Sequence, residues 1–456
     1  MPIPTRLLLV LLTLLATREP AYAETPFMEM KTPGGLTFHY RFDDRSPYAA
    51  LHFGWRDGFI DRHKGKEGLA TLFHAMVSQA ADGEGGHAFS ERLADLHARV
   101  VFANSWTASY AQVRAPAAQL GEAVIAALDA LAKAKPGEPL LKRLRDRARG
   151  SEAQSLVRSE VIAERAAMRA LLGDHRVTRA YDNARFDRIG AADLDLWRGE
   201  RLSRAGLLIV ASGALPAETY ASLIDKAFLP LPERPEPVRV APAPPKALLR
   251  TIVVERPGTQ TILLLAAPMM LADVRDGPTL AIASSILGGG SQGRLFKAVR
   301  GDLGATYGAS ASVVTVHKEQ RIVLIRASVA NDLAKPSLAA LRDTYAKWHA
   351  EGMTDAEITP ARERSITGVK AAWRDISSSS SWLLGLLAED RLPADMVEHE
   401  GRLKAITRES LNLMTRETFP SLDKFLTIIV APKADGFAAD CVIAIDTEVE
   451  RCRPRH

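Results

Sequence analysis

Seven of the sixteen positions from Pro230 to Pro245 are proline. Proline has no amide hydrogen and a fixed φ, so such a stretch enters neither a helix interior nor a central strand. It reads as an extended, semi-rigid spacer. It also parts the 456-residue chain into two runs of similar length. One core rarely grows to serve a chain this long, so at least two domains are expected. The boundaries fall at residues 24–229 for a first domain, 230–247 for the linker and 248–456 for a second.

The two runs follow the same order. Each opens with strands, Leu36 to Phe42 and Ala50 to Trp55 in the first, Arg250 to Glu255 and Thr261 to Ala266 in the second. A small-residue helix comes next (Glu67 to Ala80; Pro278 to Leu287), then a glycine-rich break (Gly83 to Gly86; Gly288 to Gly290). Further strands end in Val113-Arg114-Ala115 and Ile325-Arg326-Ala327. Long Ala/Arg/Glu-rich helical stretches follow, and each run closes on an apolar strand, Leu207 to Ala211 and Leu426 to Val430. A repeat of this length is two copies of one unit, not a solenoid, whose period is about 20–50 residues. Strands grouped early and helices grouped later predict an α+β fold. It has two homologous domains, each a largely antiparallel sheet with helices packed on one face.

The first residues have the pattern of an export signal: Arg6, an apolar core from Leu7 to Leu15, and the small-x-small site Ala21-Tyr22-Ala23. The core is about half the ~20 residues that span a bilayer, so cleavage after Ala23 is expected, with no retained membrane anchor and a periplasmic destination. The formal charge of +5 becomes +4 when Arg6, Arg18 and Glu19 leave. Spread over the remaining 456 less 23, or 433, residues, that charge does not suit nucleic-acid binding, and no basic block interleaved with aromatics appears. The two cysteines, Cys441 and Cys452, are expected to form a short-range disulfide in an exported chain. Ser377 to Ser381 reads as a helix start or loop and not as a site.

The stretch with chemical content is Gly288-Gly289-Gly290-Ser291-Gln292-Gly293-Arg294-Leu295-Phe296, followed by Arg300 and by Gly304-Ala305-Thr306-Tyr307. It lacks the Gly-Lys-Ser/Thr of a phosphate loop and the Gly-x-Gly-x-x-Gly of a dinucleotide fold. Gly288, Gly289 and Gly290 suit a break where a substrate backbone comes close. Arg300 and Tyr307 lie seven residues apart with a glycine between, so the Arg can end a helix and the Tyr start a strand. Both are hydrogen-bond donors suited to an oxygen that gains charge. The plainer alternative is a surface ion-pairing Arg and a half-buried strand Tyr. The segments Val101 to Ala108 and Ala309 to Val316 are candidate sheet edges, to which an extended peptide adds by main-chain hydrogen bonds.

These residues resemble the C-terminal domain of the pitrilysin/insulinase-type zinc peptidases, whose Arg and Tyr hold the scissile peptide. The resemblance covers nearly the whole mature chain. Supporting matches are Glu255-Arg256-Pro257-Gly258, Gly173-Asp174-His175, Ala192-Asp193-Leu194 and the run from Leu208 to Gly213. It implies a pair of α+β domains facing each other across a cavity, and an inverted zinc motif, His-x-x-Glu-His, after Gly68-Leu69-Ala70. In that register the three positions hold Thr71, His74 and Ala75, and neither Thr nor Ala is a zinc ligand. His63 and His87 complete no established zinc spacing with His74. Glu152 and Glu160 fall in the region of the third ligand and are expected to be solvated helix-surface charges. The resemblance therefore implies a chain with no metal and no cofactor of its own, inactive alone. It implies the non-zinc subunit of an exported heterodimeric metallopeptidase, bringing Arg300 and Tyr307 to the zinc of a homologous partner that acts on unfolded peptide. Two other readings stay open: a catalytically inactive peptide-binding or scaffold pseudopeptidase, and an independent enzyme of unrecognised chemistry.

Overall fold

The computed structural model describes residues 25–56, 65–80, 87–105, 107–179, 183–234, 250–270, 277–317 and 319–452. The expected export signal at residues 1–23, most of the proline-rich linker and the glycine-rich break at 83–86 lie outside them. The first half runs β1 (Met28–Lys31), β2 (Thr37–Phe42), β3 (Tyr48–Arg56), α1 (Leu69–Ala80), α2 (His87–Asp95), β4 (Arg99–Asn104) and β5 (Ala108–Pro116). It continues through α3 (Leu120–Lys133), α4 (Glu138–Ser155), α5 (Ser159–Leu172), α6 (Arg176–Arg179), α7 (Ala191–Arg201), β6 (Leu207–Gly213) and α8 (Ala217–Phe228).

The second half runs β7 (Thr251–Glu255), β8 (Gln260–Met270), α9 (Gly277–Gly288), α10 (Arg294–Phe296), β9 (Thr306–His317) and β10 (Gln320–Ala330). Then come α11 (Ala334–Glu351), α12 (Asp355–Arg374), α13 (Ile376–Ala388), α14 (Pro393–Ala405) and α15 (Arg408–Thr418). β11 (Leu426–Ala431) and β12 (Cys441–Ile443) end the chain's regular structure.

Two six-stranded sheets result, ordered β1-β2-β6-β3-β5-β4 and β12-β7-β11-β8-β10-β9. Five positions correspond: a parallel pair (β2 with β6; β7 with β11) followed by three antiparallel steps. The sheets are mixed, mostly antiparallel in the first, and the fold is α+β. Their outermost strands differ, because β1 is a hairpin partner of β2 whereas β12 arrives from the C-terminus and runs parallel to β7. β4 and β9 are the opposite edges.

The strand alternation explains the layers. In β3, Leu51, Phe53 and Trp55 point into a core with Leu72, Phe73 and Met76 of α1 and Leu120 and Val124 of α3. The other face of the sheet is also covered, and this the sequence reading of one helical face did not include. Leu208 and Val210 pack on Leu383, Leu384 and Leu387 of α13, a helix of the second half. Reciprocally, Leu264 and Ala266 of β8 and Ile428 of β11 pack on Ile162, Ala166 and Leu171 of α5, a helix of the first half. Each half lends its third long helix to the other's sheet.

Small residues permit this close approach. Ser377 to Ser381 forms the opening turns of α13, capped by Asp375, whose side chain accepts from the Ser378 amide at 2.7 Å. Ser379 and Ser380 are fully buried. Ser380 shares a 2.8 Å hydrogen bond with Ser212 of β6, and Ser381 accepts from Gln112 of β5 at 2.8 Å. Arg41, itself buried, donates to the Trp373 carbonyl at 2.8 Å and lies over the rings of Phe27 and Trp373. At the C-terminus, Cys441 and Cys452 are disulfide-linked. The short helical segment Asp446–Cys452 is held against α5, with Val449 in the same core as Ile162 and Leu171.

Candidate functional site

The glycine trio of the second half serves three separate ends. Gly288 closes α9 against β9, and a Cβ there would stand 2.1 Å from the Ala311 amide nitrogen. Gly289 is crowded by the Ser285 carbonyl at 2.4 Å from the same virtual atom. Gly290 has φ +66° with nothing within 4 Å of its virtual Cβ, a left-handed turn with open space beside it. Packing therefore requires the first two glycines, and backbone conformation favours the third.

The Arg-Leu-Phe knuckle follows as α10. Leu295 is buried beneath it. Arg294 donates from Nε and Nη2 to the two Glu357 oxygens at 2.7 Å each and from Nη2 to the Gly352 carbonyl at 2.9 Å. Arg294 is thus a structural residue, a two-pronged pair tying the knuckle to the first turn of α12. Partial burial pushes the Glu357 carboxyl up, but the bonds from Arg294 and Thr354 outweigh it and hold the group at about 2.

Lys297–Asp302 then winds as a wide π-helical turn, a rare geometry that recurs at functional sites. The Ala305 amide reaches back to the Val299 carbonyl at 3.0 Å, Gly304 takes φ +63°, and β9 begins at Thr306. Arg300 lies exposed in the π turn, and Tyr307 is the second residue of β9. The backbone thus has the helix-end and strand-start arrangement expected from the spacing. The Tyr307 side chain lies outside the described positions.

A cavity of about 450 Å³ opens next to this corner, lined by Glu160 of α5, Gly290, Phe296, Gly308, Ser310 and Arg326. Arg326 donates to Ser312 at 3.0 Å and pairs with Glu164 at 3.5 Å, so a guanidinium is fixed along one wall. Two edge strands, β4 and β9, are available for main-chain pairing; their pattern agrees with the edges expected near Val101 and Ala309.

The corresponding corner of the first half is built differently. Leu69, Leu72, Phe73 and Met76 of α1 face the core, while Thr71 is exposed and His74 and Ala75 are half-buried. His74 Nδ1 meets Asn104 Nδ2 of β4 at 2.5 Å, and Asn104 Oδ1 accepts from Ser109. Burial, with help from Arg201, lowers the His74 pKa to about 4, so the ring is neutral. Glu160 is exposed, as expected. Glu152 is not the solvated charge expected of it. Only 12% of its side chain is exposed, and it pairs with Arg185 at 2.7 Å and Arg165 at 3.1 Å.

These residues do not fit a zinc ion. Two of the three motif positions lack a ligand atom for zinc, His74 Nδ1 is engaged by Asn104, and Glu152 is neutralised by guanidiniums. Among the described residues no group of three His, Cys, Asp or Glu side chains gathers as a metal set. His63 lies outside the described residues, as does the side chain of His87. Arg185 and Asn104 belong to no motif, and no local pattern announces them, because each acts through a partner more than twenty residues away.

The family described as "Peptidase M16 inactive domain" matches residues 188–365, a span that contains the glycine trio, Arg300 and Tyr307. The fold resembles the crystal structure of a peptidase M16 inactive domain from Pseudomonas fluorescens, with TM-score 0.81, 20% identity, and coverage of 89% of this chain and 98% of that one. It also resembles a protease from Helicobacter pylori (TM-score 0.77, 13% identity, coverage 89% and 99%). A third similar structure is the first half of the periplasmic protease PqqL from Escherichia coli (TM-score 0.70, 15% identity, coverage 93% and 96%). No protein of curated function matches the sequence.

Proposed function

We propose, for a chain that belongs to the pitrilysin/insulinase-type M16 peptidase family and lacks its zinc motif, a role as the non-zinc subunit of an exported two-chain peptidase. The observation that carries the reading is the asymmetry of the two corners. One has an exposed Arg300 in a π turn, an edge strand and a cavity; the other has no ligand set. In this reading an unfolded peptide adds to the β9 edge through main-chain hydrogen bonds, which suits substrates of varied sequence. Gly290 leaves room for its backbone, and the cavity beside Phe296 and Arg326 receives a side chain.

Arg300 and Tyr307 then donate to the carbonyl oxygen of the scissile bond, where negative charge develops in the transition state. Zinc, carried by a homologous partner, activates the attacking water. Export rests on Arg6, the Leu7 to Leu15 core and Ala21-Tyr22-Ala23, and the domain boundaries at 229 and 248 follow from the proline stretch.

The test uses the purified mature chain and a fluorescein-labelled, unfolded casein peptide. The chain alone is expected to raise the peptide's fluorescence anisotropy without cleaving it. Mixed with an exported homologue from the same organism that carries His-x-x-Glu-His, it is expected to give cleavage abolished by a chelator. Cleavage by the chain alone contradicts the proposal. Binding with no gain of cleavage in the mixture favours the scaffold reading.

A further inference from the structure

Of the two carboxylates in the region of the third zinc ligand, Glu152 is held by an arginine. Glu152 is carried by α4, and its Oε2 is 2.7 Å from Arg185 Nη2. The Arg185 side chain is 7% exposed and its guanidinium lies 4.1 Å from the centre of the Phe186 ring. A Cβ on Gly68 would stand 3.0 Å from Arg185 Nε, so this guanidinium is lodged against the residue just ahead of α1. Gly68 has φ +100° and immediately precedes α1, so the guanidinium touches the N-terminal end of the helix that carries Thr71, His74 and Ala75. The positive group therefore lies between Glu152 and the residue that leads into the motif-bearing helix.

Glu152 also has a second partner. Arg165 Nη1 reaches Oε1 at 3.1 Å, while Arg165 Nε and Arg169 Nε reach Asp446 Oδ2 at 3.1 and 3.2 Å. Asp446 belongs to the C-terminal segment that ends in the disulfide-bonded Cys452. The ion cluster thus joins α4, the Arg185 segment, α5 and the tail of the second half.

We propose that Arg185 replaces the metal ion. Its guanidinium neutralises Glu152 at the place a zinc centre would take, and the former ligand now fastens the first half to the C-terminal tail. A guanidinium is a cation with no acceptor, so a divalent cation meets both a repelling charge and a ligand already in use. Restoring the motif on α1 is then insufficient to restore metal binding.

The test is zinc content and affinity in the full mature chain, measured by mass spectrometry after dialysis and by competition with a chromophoric chelator. The triple variant Thr71→His, His74→Glu, Ala75→His is expected to hold little zinc. Adding Arg185→Gln is expected to raise zinc affinity by at least about tenfold, the scale on which groups touching a metal ligand act. Equal affinity in the two variants, whether tight or absent, overturns the proposal. Should the Gln variant not fold, Arg185→Met keeps the packing on Gly68 and Phe186 and serves in its place. The fastening role is read separately from melting temperatures without metal. Glu152→Gln should lower Tm in the native chain and have a smaller effect in the Arg185→Met background, and fully additive losses contradict it.

Discussion

The corners beside α1 and α9 occupy equivalent places in two related sheets, yet they have kept different things. Beside α9, glycine packing, a π turn and a fixed knuckle leave Arg300 exposed, and a cavity opens beside Gly290 and Phe296. Beside α1, the helix keeps its apolar stripe while its outward positions have become Thr71, His74 and Ala75. Glu152 beside it is tied to arginines. The difference teaches that the core-facing and outward positions of one helix are independent. The stripe sustains the fold, and the chemistry can leave without disturbing it.

If the halves are equivalent in packing and differ only in chemistry, the exchanged helices should matter equally. Leu171→Ala in α5 and Leu383→Ala in α13 both remove a fully buried side chain, and each is expected to cost about 2–5 kcal/mol. Denaturant unfolding checks this, and a large loss at one site with none at the other would break the symmetry.

The glycine corner should be nearly as sensitive. Gly288→Ala forces a methyl onto the Ala311 amide and is expected to destabilise by roughly 1–3 kcal/mol. Gly308→Ala, with nothing within 4 Å of its virtual Cβ, should change stability little. Similar melting points for the two variants would mean that α9 is not seated on β9 as described.

A smaller effect separates the corners by pH. The Arg294–Glu357 pair holds Glu357 at about 2, below its ordinary 4.5. A depressed carboxyl contributes stability above its unfolded pKa and loses it as pH falls towards the folded one. Glu357→Gln should therefore be less stable than the native chain at pH 7, and the gap should close between about pH 4.5 and 2. A gap that stays constant to pH 2 would show that the pair contributes nothing to folding.

Much of this architecture was legible because local pattern carries it. The strand–helix–glycine order repeats in both halves, and α1, α9, β6 and β11 fall within a few residues of their expected spans. The exchange of α5 and α13 was not legible, since an apolar stripe tells that a helix is buried and not against what. The buried serines of α13 read as polar for the same reason. Glu152 was misjudged because its partners Arg165 and Arg185 are thirteen and thirty-three positions away, beyond any helical period. The Arg300–Tyr307 backbone geometry was legible because Gly304 punctuates the chain between them.

The most direct measurement is peptidase turnover by the reconstituted complex carrying Tyr307→Phe and Arg300→Lys in this chain. Each variant should leave the fold and partner affinity intact, because an aromatic ring of nearly the same size and a positive charge remain. Loss of the phenolic donor should reduce kcat by about 10²–10³-fold, as for other donors to a developing oxyanion. The Lys variant should lose much of the activity because an ammonium does not reproduce the planar fork. Full turnover with both substitutions together would contradict the account and leave this chain a scaffold.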